Sequence, residues 1–196
     1  VHFWNKFYGV TLEAYGDVNG DGKVFMPRNA LNEPNAASLA TGGGMGTNIY
    51  CGGIFEIEAD EAVIVELHQP VEPEYIGFCL GNMWGESLDF ANFQSSLNGL
   101  QAHRDADNVI RYVIAHRDPG VHNWVDTTGQ PEGYMCVRWA YSVKPKENLP
   151  RATAKKVPLA ELMRHLPADT RMISPEERRR RIAIRQEHVQ RRYRHH

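Results

Sequence analysis

The chain has 196 residues, 42% of them hydrophobic and 23% charged, with a net charge of -2. That composition is globular; it excludes a collagen-like or disordered chain and supplies no bulk positive charge for holding nucleic acid. A chain of this length buries roughly 70% of its unfolded surface, so it needs neither a disulfide framework nor a structural metal.

Charge is unevenly placed. Residues 171–196 hold nine Arg and three Glu, leaving 13 basic and 21 acidic residues in 1–170. An acidic body with a basic tail predicts that the tail docks on an acidic surface, of this body or of a partner. Cys51, Cys79 and Cys136 form no CxxC pair and sit in apolar, strand-like runs. This predicts three reduced, mostly buried thiols and a cytoplasmic, reducing setting. No run approaches the roughly 20 apolar residues of a membrane helix. The chain begins at Val1 rather than Met, which reads as a fragment or processed product with an upstream part missing.

In chain order, residues 3–15 are aromatic and half alternating, and read as a first strand or an irregular lead-in. Residues 16–23, GDVNGDGK, are turn chemistry. Residues 27–48, with the glycine cluster Gly42, Gly43, Gly44 and Gly46, read as a long loop; without a following Lys and helix the cluster is no phosphate cradle. Five strands follow at 49–57, 62–68, 74–82, 109–116 and 133–141, each rich in β-branched and aromatic residues and bounded by turn formers. Segment 86–98 is open between a short helix and an ordered loop. After Pro150 the character changes. Pro158-Leu159 opens a short helix, and Ser174-Pro175-Glu176-Glu177 starts a second that runs to about residue 193. The expected architecture is an antiparallel β sandwich or jelly roll over 1–150, with a helical basic tail over 151–196 packed outside the core or on a partner.

Several clusters carry candidate chemistry. Asp17, Asn19 and Asp21, followed by Gly22, match the opening half of a calcium loop, with oxygen ligands at positions one, three and five and glycine at six. The twelfth position is Arg28, where a carboxylate is expected, so a plain turn is the competing reading. Glu66 and His68 share a strand face and, with His103, His116 and His122, offer ligand types suited to zinc or iron, but in no tight ligand spacing. The run 113–129, VIAHRDPGVHNWVDTTG, has the highest polar density. Within it His116 and Asp118 are the candidate acid–base pair, and Arg117, Asn123, Trp124 and Asp126 the candidate ligand-binding residues. The competing reading is a loop staple in which Arg117 pairs with Asp118. In the tail, Arg178 to Arg181 are consecutive and point around a helix rather than forming one basic face.

Residues 61–66 (EAVIVE), 86–98 (ESLDFANFQSSLN), 113–129 and 157–166 (VPLAELMRHL), with the basic end, resemble the bacterial domain-of-unknown-function family numbered twelve-fourteen. The resemblance covers roughly 50–196 and is most specific from His116 to Trp124. It implies a β-sandwich or jelly-roll domain preceded by more chain, and no established reaction.

The sequence therefore points to a small-molecule-binding domain of a larger bacterial enzyme or binding protein. One alternative is an assembly module that docks a partner subunit through its basic helix. Another is nucleic-acid binding through the Arg-rich tail, which the net charge disfavours.

Overall fold

The computed structural model describes residues 26–34 and 46–194. Two four-stranded sheets pack face to face, followed by a C-terminal helix. The first sheet has the order β1 (Asn48–Glu56), β7 (Glu132–Ala140), β3 (Tyr75–Gly81), β4 (Ser96–Asn98), all antiparallel. The second has the order β6 (Trp124–Asp126), β5 (Ile110–Ala115), β2 (Glu61–His68), β8 (Arg151–Pro158). Here β5 and β6 run parallel, and the other pairs are antiparallel. The expected β sandwich is the observed fold.

The two-residue period of each strand sends alternate side chains inward. Phe78, Val137 and Trp139 of the first sheet meet Val65, Ile110 and Tyr112 of the second in one buried core. Phe78 stacks on Tyr112 across the sandwich, with ring centroids 4.5 Å apart. The outer face of the second sheet is also buried. There Ile64, Val113 and Ala115 pack with Val121, Trp124, Leu162 and Leu166. The short 3-10 helix Leu159–Arg164 supplies part of this cover. Burial on both faces is why β2 and β5 read as nearly continuous apolar runs.

Several boundaries differ from the sequence reading. Residues 151–158 form β8, so the second sheet takes in chain assigned to the tail. Only Ala152, Ala154 and Val157 of β8 meet apolar cores, too small a face to announce a strand. Segment 86–98 is mostly turns and ends in β4. The expected first strand, the turn at 16–23 and the glycine cluster from Gly42 to Gly44 lie outside the described residues. The cysteines also divide. Cys51 is buried, Cys136 half-buried and Cys79 exposed, and none is in a disulfide. Strand period explains this: Cys51 points into the core, whereas Cys79 and Cys136 point to the outer face of the first sheet.

The helix α1 (Pro175–Tyr193) begins where the sequence placed it, with Pro175 in the first turn. The Ser174 hydroxyl accepts a hydrogen bond from the Glu177 N–H at 3.1 Å. Removing one ring of the stack between the sheets tests the core: Phe78→Ala is expected to cost about 3–5 kcal/mol in urea denaturation. Tyr75→Ala, at a half-exposed position on the same strand, is expected to cost less than about 1 kcal/mol.

Candidate functional site

Strands β5 and β6 are parallel neighbours, yet only residues 116–123 join them. Parallel strands are usually linked by a dozen residues or more. The short link turns at Pro119-Gly120, where Gly120 has a φ of +80°. Its N–H donates to the Asp118 carboxylate at 2.8 Å. Such a tight crossover leaves backbone groups without strand partners, and each must find one elsewhere.

The polar residues of 113–129 supply those partners. The Asn123 side chain accepts from the His103 N–H at 2.7 Å and donates to the carbonyls of His103 and Arg111 at 2.7 and 2.9 Å. The Trp124 indole donates to the Ala115 carbonyl at 2.9 Å. Gln94 donates to the carbonyls of His122 and Trp124 at 3.3 and 2.5 Å. His116 uses both ring nitrogens: Nδ1 lies 2.7 Å from the Thr127 hydroxyl and Nε2 lies 3.0 Å from the Ile57 carbonyl. Facing a carbonyl, Nε2 must carry the proton, which leaves Nδ1 as acceptor in the neutral ring. Asp126 accepts from the Thr128 N–H at 2.8 Å, and burial pushes its carboxyl pKa up.

Asp118 does not pair with Arg117. The exposed Arg117 reaches the Ala59 carbonyl at 3.4 Å, while Asp118 is engaged by Arg178 of α1. Arg178 Nε donates to Asp118 at 2.8 Å, and the rest of the guanidinium donates to the carbonyls of Val121 and His122 at 2.5 and 3.2 Å. It lies 5.1 Å from the Trp124 ring centroid and is only 6% exposed. Residues 171–173 run along the crossover and place this arginine. The His122 N–H donates to the Arg171 carbonyl, and the Ile173 N–H to the Gly120 carbonyl. Ser174 then starts the helix, one turn before Arg178.

Arg178, Arg181 and Arg185 lie three and four residues apart and so share one helix face. Arg181 bonds Glu177 at 2.9 Å and reaches His122 Nε2 at 3.1 Å. Arg185 donates to the carbonyls of Phe90 and Ser96. Polar side chains, more than the expected Ile182, Val189 and Tyr193, hold the helix. Ile182 and Val189 are half-buried, and Tyr193 is 63% exposed. Between α1 and β4 lies a cleft of about 390 Å³. Arg180, Arg181, Arg185 and His188 form its basic wall, and Gln94 and Gln101 face them from the body. Burial, and then the charges of Arg178 and Arg181, lower the pKa of Arg185. The spacing 181, 185, 188 was the signal available for this wall in the sequence; the run of four arginines masked it.

His122 sits under the helix in a conflicted position. Its Nε2 is 3.0 Å from the Gln101 carbonyl, which requires a donor, and 3.1 Å from an Arg181 nitrogen, which requires an acceptor. Burial above all, with the charges of Arg181, Arg171 and His103, pushes its pKa down to about 4.

Asp17, Asn19 and Asp21 lie outside the described residues. Arg28, the twelfth position of that loop, ion-pairs with Glu56 and Glu132. Glu66 is bonded by Arg111 at 2.8 Å, and Arg111 also binds Asp105 and Asp107. Among the described residues no three His, Cys, Asp or Glu side chains gather in a way that would hold a metal ion. No helix among them is long and apolar enough to cross a membrane.

No protein-family model and no curated protein match the chain. Solved structures do. An uncharacterized protein from Burkholderia cenocepacia is 30% identical with a TM-score of 0.60, over 68% of this chain and 36% of that one. A protein from Vibrio parahaemolyticus is 12% identical with a TM-score of 0.43, over 61% of this chain and 34% of that one. The chain thus spans about a third of the length of each. It is similar in structure to an uncharacterized bacterial protein.

Two measurements test this region. Arg178→Met is expected to cost about 3 kcal/mol in chemical denaturation, because Asp118 and two carbonyls lose a charged donor. Arg179→Met, exposed beside it, should stay within about 0.5 kcal/mol. His122 gives a pH dependence. Its folded pKa of about 4 lies below the ordinary 6.5, so the unfolded chain binds the proton first as pH falls. Its contribution to stability is full above about pH 6.5 and is lost toward pH 4. The difference in stability between the wild type and His122→Gln should therefore shift across that window and be flat above it.

Proposed function

We propose that this chain is a small-molecule-binding β-sandwich module whose ligand is a small anion held between α1 and β4. The observation that carries this reading is the surplus of positive charge in a half-enclosed cleft. Arg185 is half-buried beside Arg178 and Arg181, and its own hydrogen bonds go to carbonyl oxygens rather than to a carboxylate. Glu177 offsets part of that charge through Arg181. An anion entering from the Arg180 and His188 side would relieve the mutual repulsion, and planar guanidiniums suit carboxylate and phosphate groups. Gln94 and Gln101 provide amide groups on the opposite wall to orient a ligand.

In this reading the run from His116 to Asp126 acts indirectly. It builds the crossover on which Arg178 is seated, and so sets the distance between the helix and the body. Membership of the family numbered twelve-fourteen is part of the same proposal, supported by the sandwich that the resemblance implies. A place within a larger bacterial enzyme or binding protein is likewise proposed. The assembly reading is favoured by one separate observation, the exposure of Tyr193 on α1.

Calorimetry with succinate, citrate and inorganic phosphate tests the anion reading. Binding is expected to weaken as salt rises, and Arg180→Gln or His188→Gln should reduce it on the order of tenfold with little change in melting temperature. Absence of binding by every anion at millimolar concentration, or equal binding by both variants, would overturn it.

A further inference from the structure

On the outer face of the first sheet, Cys79 of β3 and Cys136 of β7 are direct cross-strand partners. The backbone groups on either side settle the type of pair. The Leu80 N–H donates to Ser95, and the Ile76 carbonyl accepts from Gly99, so both residues direct their backbone groups away from β7. Cys79 therefore directs its own toward β7, making this a hydrogen-bonded pair. Such pairs have Cα atoms about 5.5 Å apart, within the roughly 4.4–6.8 Å that a disulfide spans. The Cys136 thiol donates to the Val137 carbonyl at 3.8 Å.

The surroundings leave the pair accessible. Across the sheet the row continues as Gly52 beside Cys136 and Ser96 beside Cys79. Along β3, the same-face neighbours of Cys79 are Gly77 and Gly81. No large side chain on these four positions covers the sulfurs. Tyr75 lies over Gly77, Met26 over Gly52 and Tyr134 beside Gly81, so large side chains frame the pair, with Cys79 exposed and Cys136 half-buried. A cleft of about 300 Å³ opens onto both cysteines and Arg138. The third cysteine is a contrast within the same sheet: Cys51 is fully buried, and burial pushes its pKa up to about 12.

We propose that Cys79 and Cys136 are a redox-active cross-strand dithiol that hydrogen peroxide oxidises to a disulfide. The Cys79 thiolate attacks one peroxide oxygen. The S–O bond forms, the O–O bond breaks, and hydroxide leaves, giving a sulfenic acid. The Cys136 sulfur then attacks the Cys79 sulfur. The S–S bond forms, the S–O bond breaks, and the Cys136 proton leaves with the oxygen as water. Two thiols lose two electrons in all, and one peroxide becomes two waters. Cys79 is suited to the first step. The neighbouring Cys136 thiol, and then the charge of Arg138, lower its pKa to about 7. The neighbouring Cys79, and then burial, push the Cys136 pKa up, which fits a resolving thiol that reacts second. The proposal is independent of the anion reading, because neither cysteine lines the cleft between α1 and β4.

The test uses the reduced full chain, treated with hydrogen peroxide, denatured and alkylated. Mass spectrometry should find only Cys51 alkylated, and peptide mapping should find Cys79 joined to Cys136. Before oxidation, iodoacetamide at pH 7 should modify Cys79 on the order of tenfold or more faster than Cys51. Cys136→Ser should halt the reaction at a Cys79 sulfenic acid that dimedone traps, and Cys79→Ser should leave Cys136 alkylatable after peroxide. Three alkylated thiols in the peroxide-treated wild type, or a linkage that includes Cys51 or joins two chains, would overturn the proposal without reliance on any variant.

Discussion

The short parallel crossover between β5 and β6 constrains much of what surrounds it. Two parallel strands joined by so little chain cannot carry a covering helix between them, so backbone groups at their ends would be buried unpaired. The molecule answers with one side chain of the crossover and two from distant places. Asn123 ties the crossover to the segment at His103, Gln94 caps it from the loop before β4, and Arg178 closes it from the C-terminal helix. A buried guanidinium is costly to desolvate; here one carboxylate, two carbonyls and an indole face share the cation. The position of the whole helix follows from that arginine.

The seating of Arg178 links fold to site. Once it is fixed, helical periodicity delivers Arg181 and Arg185 to the same face and brings them over β4. The helix is held by long polar arms rather than by an apolar stripe, which leaves space between it and the sheet. That space is the basic cleft. It therefore depends on a contact some turns away, and residues outside the cleft set its width.

The sequence made the long strands legible because their apolar and aromatic residues recur at the right period. Strands β4 and β6 are three residues each, too short for any period to show. Strand β8, RATAKKVP, presents only small side chains and one valine to the interior, and so reads as tail. The polar density of 113–129 was visible, but its purpose was not. Asp118 and Arg178 are sixty positions apart, and nothing local distinguishes a carboxylate awaiting a distant guanidinium from one poised beside a histidine. The arrangement of Cys79 and Cys136 was hidden for a similar reason, since strand register cannot be read from either segment alone.

The edges of the two sheets have a consequence for how the molecule meets others of its kind. Residues 26–34 run against β1, where Asn29 and Asn32 hydrogen-bond to its backbone. Strands β4 and β6 are too brief to template another strand, and the remaining edge, β8, carries Arg151, Lys155 and Lys156. Lysine on an edge and very short edge strands are recognised guards against sheet-to-sheet growth. Among the described residues, then, the sandwich offers no long bare edge for strand addition, and contacts with other chains are directed to side-chain surfaces instead. Neutralising the two lysines of β8 would remove that guard, opening a route to aggregation while leaving the interior of the fold untouched.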